Sequence, residues 1–174
     1  MFLCFYVLTK LEISNNIIYE SDNQYQLPGG IYMKNISVIY WSGTGNTEAM
    51  AEALAEGAKA AGGQVKLVSV DEVSEDDVKN ADAVALGCPS MGDEVLEEGS
   101  MEPFIEQTSN LYKGKNVALF GSYGWGSGQW MEDWQARMEG YGANLVEDGL
   151  IINYTPDDEG LEKCKQLGES LVKA

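Results

Sequence analysis

Ser42-Gly43-Thr44-Gly45-Asn46-Thr47 is the stretch on which the fold turns. It follows an apolar run, Ile36-Ser37-Val38-Ile39-Tyr40-Trp41, and it precedes a helical pattern. Strand, glycine–hydroxyl loop, helix is the layout that receives a phosphate. The glycines let backbone N–H groups turn toward one point, and the helix N-terminus adds partial positive charge. Ser42, Thr44 and Thr47 add hydroxyls, and Asn46 adds an amide. The loop holds no Lys or Arg. A nucleoside-triphosphate loop needs Gly-Lys-Ser/Thr, whereas here Gly45 is followed by Asn46-Thr47. The dinucleotide fingerprint also fails, because Glu48 stands where its third glycine belongs. What remains is a neutral nest for a single phosphate group.

Outward from this loop, strands alternate with helices. Strand one is 36–41. Helix one covers about 46–61, with Ala51, Leu54, Ala55 and Ala58 on one face, and Gly62-Gly63 ends it. Strand two is about 64–70, and a short helix comes next, capped by Ser74. Strand three is 83–86. Helix three carries Met101, Phe104, Ile105 and Thr108, with Pro103 in its first turn. Strand four is 117–120, and helix four carries Met131, Trp134, Met138 and Tyr141. Strand five lies within 145–153. Helix five carries Leu161, Cys164, Gly168 and Leu171. This alternation predicts an α/β doubly wound five-stranded parallel sheet, strand order 2-1-3-4-5, with helices on both faces. A ligand then binds at the carboxyl ends of the strands, where the winding reverses between strands one and three.

Composition narrows the function. Eleven Lys and Arg face 28 Asp and Glu, a net charge of −17. Nucleic acid, which needs a basic face, is not an expected partner. A basic protein partner is, through long-range attraction. The chain has no His, which removes imidazole catalysis and ligation. Cys4, Cys88 and Cys164 have no metal-type spacing. No apolar run is long enough to span a bilayer, so no membrane insertion is expected.

Residues 1–33 do not match the rest of the chain. Met1–Thr9 is apolar but makes a poor signal peptide, and Asn15-Asn16, Asn23-Gln24 and Pro28-Gly29-Gly30 read as irregular chain. Met33 directly precedes the first strong strand. The expected organisation is therefore an extension at 1–33, irregular or an over-extended start, and a ligand-binding domain at 34–174.

The loops after strands one, three and four converge in the predicted sheet, while those after strands two and five are unremarkable. After strand three comes Gly87-Cys88-Pro89-Ser90-Met91-Gly92-Asp93-Glu94. After strand four comes Gly121-Ser122-Tyr123-Gly124-Trp125-Gly126-Ser127-Gly128, uncharged and glycine-dense. Trp125 between glycines has no local packing partner, and a flat ligand would supply one. Cys88 reads as a packing residue.

At Ser42–Thr47, Met91-Gly92-Asp93-Glu94 and Gly121–Gly128 the sequence resembles the flavodoxins, specifically the short-chain group of anaerobic bacteria. The resemblance covers about 34–174. It implies FMN as cofactor, bound through Ser42, Gly43, Thr44, Gly45, Asn46, Thr47, Pro89, Ser90, Met91, Gly92, Asp93, Glu94, Ser122, Tyr123, Gly124, Trp125 and Gly128. Ser42, Thr44, Asn46 and Thr47 would hold the phosphate. Trp125 and Met91 would cover opposite faces of the isoalloxazine, and Glu94 would accept from flavin N3–H. Ser122 and Gly124 would line the pyrimidine edge. The Gly92–Asp93 carbonyl would turn toward N5 when that atom is protonated.

The function implied is a cytoplasmic, monomeric, low-potential one-electron carrier. It would shuttle electrons between redox enzymes with basic docking surfaces, such as ferredoxin-dependent oxidoreductases, in place of ferredoxin. The alternative is a small FMN-dependent NAD(P)H quinone reductase or nitroreductase of related fold, against which stands the lack of a basic cluster for a nicotinamide nucleotide. A response-regulator receiver domain needs acids after strand one and at the end of strand three. Those places hold Trp41-Ser42 and Gly87-Cys88.

Overall fold

The computed structural model describes the backbone at Lys10–Ile13, Asn16–Ser21, Gln24–Leu27 and from Ile31 onward, with side chains from Met33 onward. The chain divides into two compact units, Met1–Met33 and Lys34–Ala174. In the first, the strands Lys10–Ile13, Asn16–Ser21, Gln24–Leu27 and Ile31–Tyr32 form an antiparallel meander. The described backbone there is extended strand and not irregular chain. Asn16 and Gln24 open strands, and the Ile17-Ile18-Tyr19 run behind Asn16 has the β-branched and aromatic character that favours pairing. Met1–Thr9, Asn15, Asn23 and Pro28-Gly29-Gly30 lie outside the described residues.

The second unit is built on β1 (Asn35–Tyr40), β2 (Gln64–Ser69), β3 (Ala83–Gly87), β4 (Asn116–Tyr123), β5 (Asn144–Leu145) and β6 (Leu150–Asn153). All pair in parallel. The order is β2-β1-β3-β4-β6, with β5 also on β4, which is the expected 2-1-3-4-5 sheet with its fifth strand in two pieces. Val117 faces Leu145 and Phe120 faces Leu150, so residues between the pieces bulge out of the ladder. Gln135 holds that bulge by accepting the Gly149 N–H at 2.6 Å.

The helices are α1 (Asn46–Ala60), α2 (Glu75–Lys79), α3 (Met101–Gln107), α4 (Gln129–Gly140) and α5 (Asp158–Lys173). Alternate strand residues feed two cores. Val84, Leu86, Val117 and Leu119 join Met101, Ile105, Trp130, Trp134 and Met138 of α3 and α4. Ile36, Val38, Ala83, Ala85, Ala118 and Phe120 join Met50, Leu54, Cys164 and Leu171 of α1 and α5. The period of two along a strand sends successive side chains to opposite faces, so the inner strands are apolar throughout. All five residues of β3 are buried. This double layer holds the strand ends rigid, and the loops at their carboxyl ends inherit fixed positions.

Candidate functional site

Three loops meet at the carboxyl ends of β1, β3 and β4 around a cleft of about 360 Å³. Its lining is Trp41, Gly43, Thr44, Asn46, Pro89, Ser90, Met91, Ser122, Tyr123, Gly124 and Tyr154, with no charged side chain among them.

The start of α1 forms one wall. Gly45 takes the N-cap place with φ +88°, a left-handed conformation natural to glycine, and its N–H donates to Ser42 Oγ at 3.1 Å. A helix start leaves several N–H groups without intrahelical acceptors. At the other four described α-helices, side chains from within or outside the helix take up donors at the start. Ser74 and Asp77 form a capping box on α2. Glu97 accepts from Ser100 and Met101 N–H at α3. Glu94 accepts from Gly128 and Gln129 N–H at α4. Asp157 accepts from Gly160 N–H at α5. Among the described residues no side chain does this for α1. Glu48, in its first turn, instead accepts from the Tyr40 hydroxyl at 2.9 Å. Burial first, and the bond to Glu48 second, push that phenol up to about 12.

Thr47 is 1% exposed, and its hydroxyl pairs with Ser122 Oγ at 3.0 Å while Ser122 N–H donates to it at 3.4 Å. This buried pair ties the loop to β4. It engages the Thr47 hydroxyl with β4, while the Thr47 backbone N–H stays among the first-turn donors. Ser122 and Tyr123 belong to β4, whereas the sequence predicts a loop from Gly121. Pairing of Gly121, Ser122 and Tyr123 with Ile151, Ile152 and Asn153 extends the strand.

On the third side, Met91 and Val95 exchange backbone hydrogen bonds of 2.9 Å each, closing Gly92-Asp93-Glu94 into a turn. Gly92 has φ +48° and Glu94 φ +53°. Glu94 Oε1 accepts from the N–H groups of Ser127, Gly128 and Gln129 at 3.0, 2.8 and 2.9 Å, and Oε2 meets Ser127 Oγ at 3.3 Å. Partial desolvation pushes its carboxyl up, but those donors outweigh it and hold the group below its ordinary range. Cys88, beneath the turn, is fully buried. Burial pushes its thiol up to about 12, as suits a packing residue.

The cleft thus gathers Gly43, Thr44, Asn46, Pro89, Ser90, Met91, Ser122, Tyr123 and Gly124 of the predicted set. Ser42, Gly45 and Thr47 are outside the lining, in the same loop and helix start. Gly92, Asp93, Glu94 and Gly128 form the neighbouring turn and helix start, outside the lining. Trp125 is 62% exposed and also outside the lining. Trp41 and Tyr154 line the cleft although neither is in the predicted set. Trp41 closes the run before the glycine loop, a place that could have drawn notice. Tyr154 comes after strand five, whose loop carries no glycine or motif signal.

The sequence model of the flavodoxin family matches residues 38–168. Flavodoxin from Clostridium beijerinckii is 50% identical over 137 residues, covering 79% of this chain and 99% of that protein. Flavodoxin from Megasphaera elsdenii is 48% identical over 139 residues, covering 80% and 99%. The chain belongs to the flavodoxin family. The solution structure of two-electron reduced Megasphaera elsdenii flavodoxin superposes with a TM-score of 0.74 at 47% identity, covering 80% of this chain and 99% of that one.

Flavodoxins bind FMN and transfer electrons; they are not enzymes. The residues present fit that cofactor. The uncapped α1 start and the hydroxyls of Ser42 and Thr44 suit a phosphate monoester, and the uncharged cleft beside them suits a flat apolar ring. Among the described residues, no helix is long and apolar enough to cross a membrane.

Proposed function

We propose that this flavodoxin is a low-potential one-electron carrier of the cytoplasm, working as a monomer between redox enzymes where a ferredoxin could otherwise serve. The observation that carries the cofactor reading is the open start of α1 beside a neutral cleft, where the other described α-helices have side-chain acceptors at their starts. Bound FMN supplies reversible one-electron chemistry. Ser42, Thr44, Asn46 and the first-turn N–H groups, that of Thr47 included, hold its phosphate. Met91 and Trp125 cover the ring faces, and the exposed Trp125 is free to do so. Ser122 and Gly124 line the pyrimidine edge, with Pro89, Ser90 and Tyr123 as walls. Glu94 divides its work: Oε1 caps α4, and Oε2, with one long contact, would accept from flavin N3–H. The Gly92–Asp93 carbonyl would be the group to hold a proton at N5 of the bound cofactor.

A net charge of −17 supports two further parts of the reading. It disfavours adding negative charge to the cofactor, which lowers the potential, and it draws basic docking surfaces such as those of ferredoxin-dependent oxidoreductases. The same reading takes 34–174 as the cofactor domain, with 1–33 outside it. The aligned segments that span 99% of each relative, 137 and 139 residues long, support that division.

The test is an anaerobic spectroelectrochemical titration of protein reconstituted with FMN. Two separate one-electron waves are expected, with no bleaching by NADPH alone. Transfer to a basic partner should slow as salt screens the attraction. A chain that takes up no FMN ends the cofactor reading. Direct reduction by NADPH moves the protein to the reductase class.

A further inference from the structure

Among the described residues, the exposed large hydrophobic side chains are Val95 (43%), Trp125 (62%) and Tyr154 (64%). They stand on the loops after β3, β4 and β6, at one end of the sheet. Of the three, Tyr154 lines the cleft. It is also held in a conformation that a tyrosine avoids, with φ +57°. The other non-glycine residue at positive φ among the described residues is Glu94, whose turn is fastened by its bonds to 127–129. At Tyr154 only the backbone is fastened. Its N–H donates to the Tyr123 carbonyl at 2.7 Å, and Asn153 Nδ2 donates to the same oxygen at 3.2 Å. The ring leans over Gly124, where a Cβ would stand 3.5 Å from Tyr154 Cε1. An aromatic ring left in water on a strained backbone is doubly unfavourable in the free protein. Such an outlier beside a cleft points to a ligand contact.

We propose that Tyr154 is a cofactor-contact residue whose ring forms one wall of the FMN cleft and is covered when the flavin binds. The proposal rests on the FMN reading above and adds strand five's loop to the site. It accounts for an exposed aromatic at a strained position, since ring burial against a flat ligand offsets both penalties.

The test is titration of apo-protein with FMN, monitored by quenching of flavin fluorescence, together with thermal melts of each apo-protein. Tyr154→Phe keeps the ring. Tyr154→Asn removes it while tolerating the left-handed backbone. The phenylalanine variant should bind within about twofold of wild type, and the asparagine variant about tenfold more weakly. The asparagine apo-protein should melt at or above wild type. Unchanged affinity in Tyr154→Asn overturns the proposal. So does an equal loss in both variants, which would assign the effect to the hydroxyl. So does a loss of affinity that merely tracks a lower melting temperature, which marks a structural role. Wild-type protein that takes up no FMN overturns this proposal together with the cofactor reading, and it does so before any variant is compared.

Discussion

The two helices that begin beside the cleft start alike and end up opposite in character. Gly45 before α1 has φ +88° and ψ −11°, and Gly128 before α4 has φ +95° and ψ +8°. Both place first-turn N–H groups at the mouth of a glycine loop. At α4 the donors are filled by Glu94, a carboxylate more than thirty residues away in sequence. At α1 they are left open, and the nearest carboxylate, Glu48, is turned to Tyr40. One start is finished by a side chain, and the other has no side-chain acceptor among the described residues. A glycine-rich strand–loop–helix is therefore an anion site only where no side chain has taken its place.

The sharpest way to break this contrast is to cap α1 as α4 is capped. Asn46→Asp adds charge without changing shape. A unit charge roughly 6 Å from a bound phosphate, at an effective dielectric constant of about 20, costs roughly 3 kcal/mol, on the order of 100-fold in Kd. Fluorescence titration with FMN should show that loss, while the apo-protein gains roughly 0.5 kcal/mol from a better-capped helix. Unchanged affinity would mean that the phosphate does not sit at α1.

Alanine at the two cap glycines comes next. A Cβ at positive φ costs roughly 1–2 kcal/mol. At Gly45 that Cβ meets nothing within 4 Å, so the cost is conformational alone; at Gly128 it also comes within 3.0 Å of Ile151 Cδ1. Urea unfolding should rank Gly128→Ala as the more destabilised. The reverse order would show that crowding at Ile151 relaxes freely.

Uncapping α4 has the smallest effect, because two of the three freed N–H groups belong to the exposed residues Ser127 and Gln129. Glu94→Gln should lower the melting temperature slightly near neutral pH. The sign with pH comes from a carboxyl held below its ordinary value near 4.5. Its contribution is full above that value and is lost as pH falls through the lower, folded one. The gap in melting temperature between wild type and variant should stay constant from about pH 6 to 8 and narrow as pH falls below the ordinary carboxylate range. A gap that persists in acid would mean that the charge is not what stabilises the cap.

The parts of the fold most legible in the sequence are those carried by short-range pattern. The Ala51, Leu54, Ala55, Ala58 spacing marks α1, and the apolar runs of β1 and β3 mark inner strands, because helix and strand periods appear within a few residues. The split of the fifth strand is not legible in the same way. It depends on Gln135 of α4 reaching Gly149, and no local pattern in 143–153 announces that contact. In the tail, Asn16 and Gln24 read as irregular chain, although both open strands of the meander.

For the site, sequence alone determined the make-up of the glycine–hydroxyl loop before α1. Its glycines, hydroxyls and missing cation lie within six consecutive residues, and their chemistry does not depend on what lies across the sheet. Tertiary structure decided which side chains were free to serve it. Thr47 gave its hydroxyl to Ser122, 75 residues away. Glu94 gave an oxygen to the start of α4, and Tyr154 came to the cleft because β6 pairs with β4 and carries the next residue past Tyr123. A nest is made of neighbouring backbone and is written in order along the chain. A side chain's partner is set by strand register and helix packing, which bring distant residues within bonding distance only once the sheet has formed.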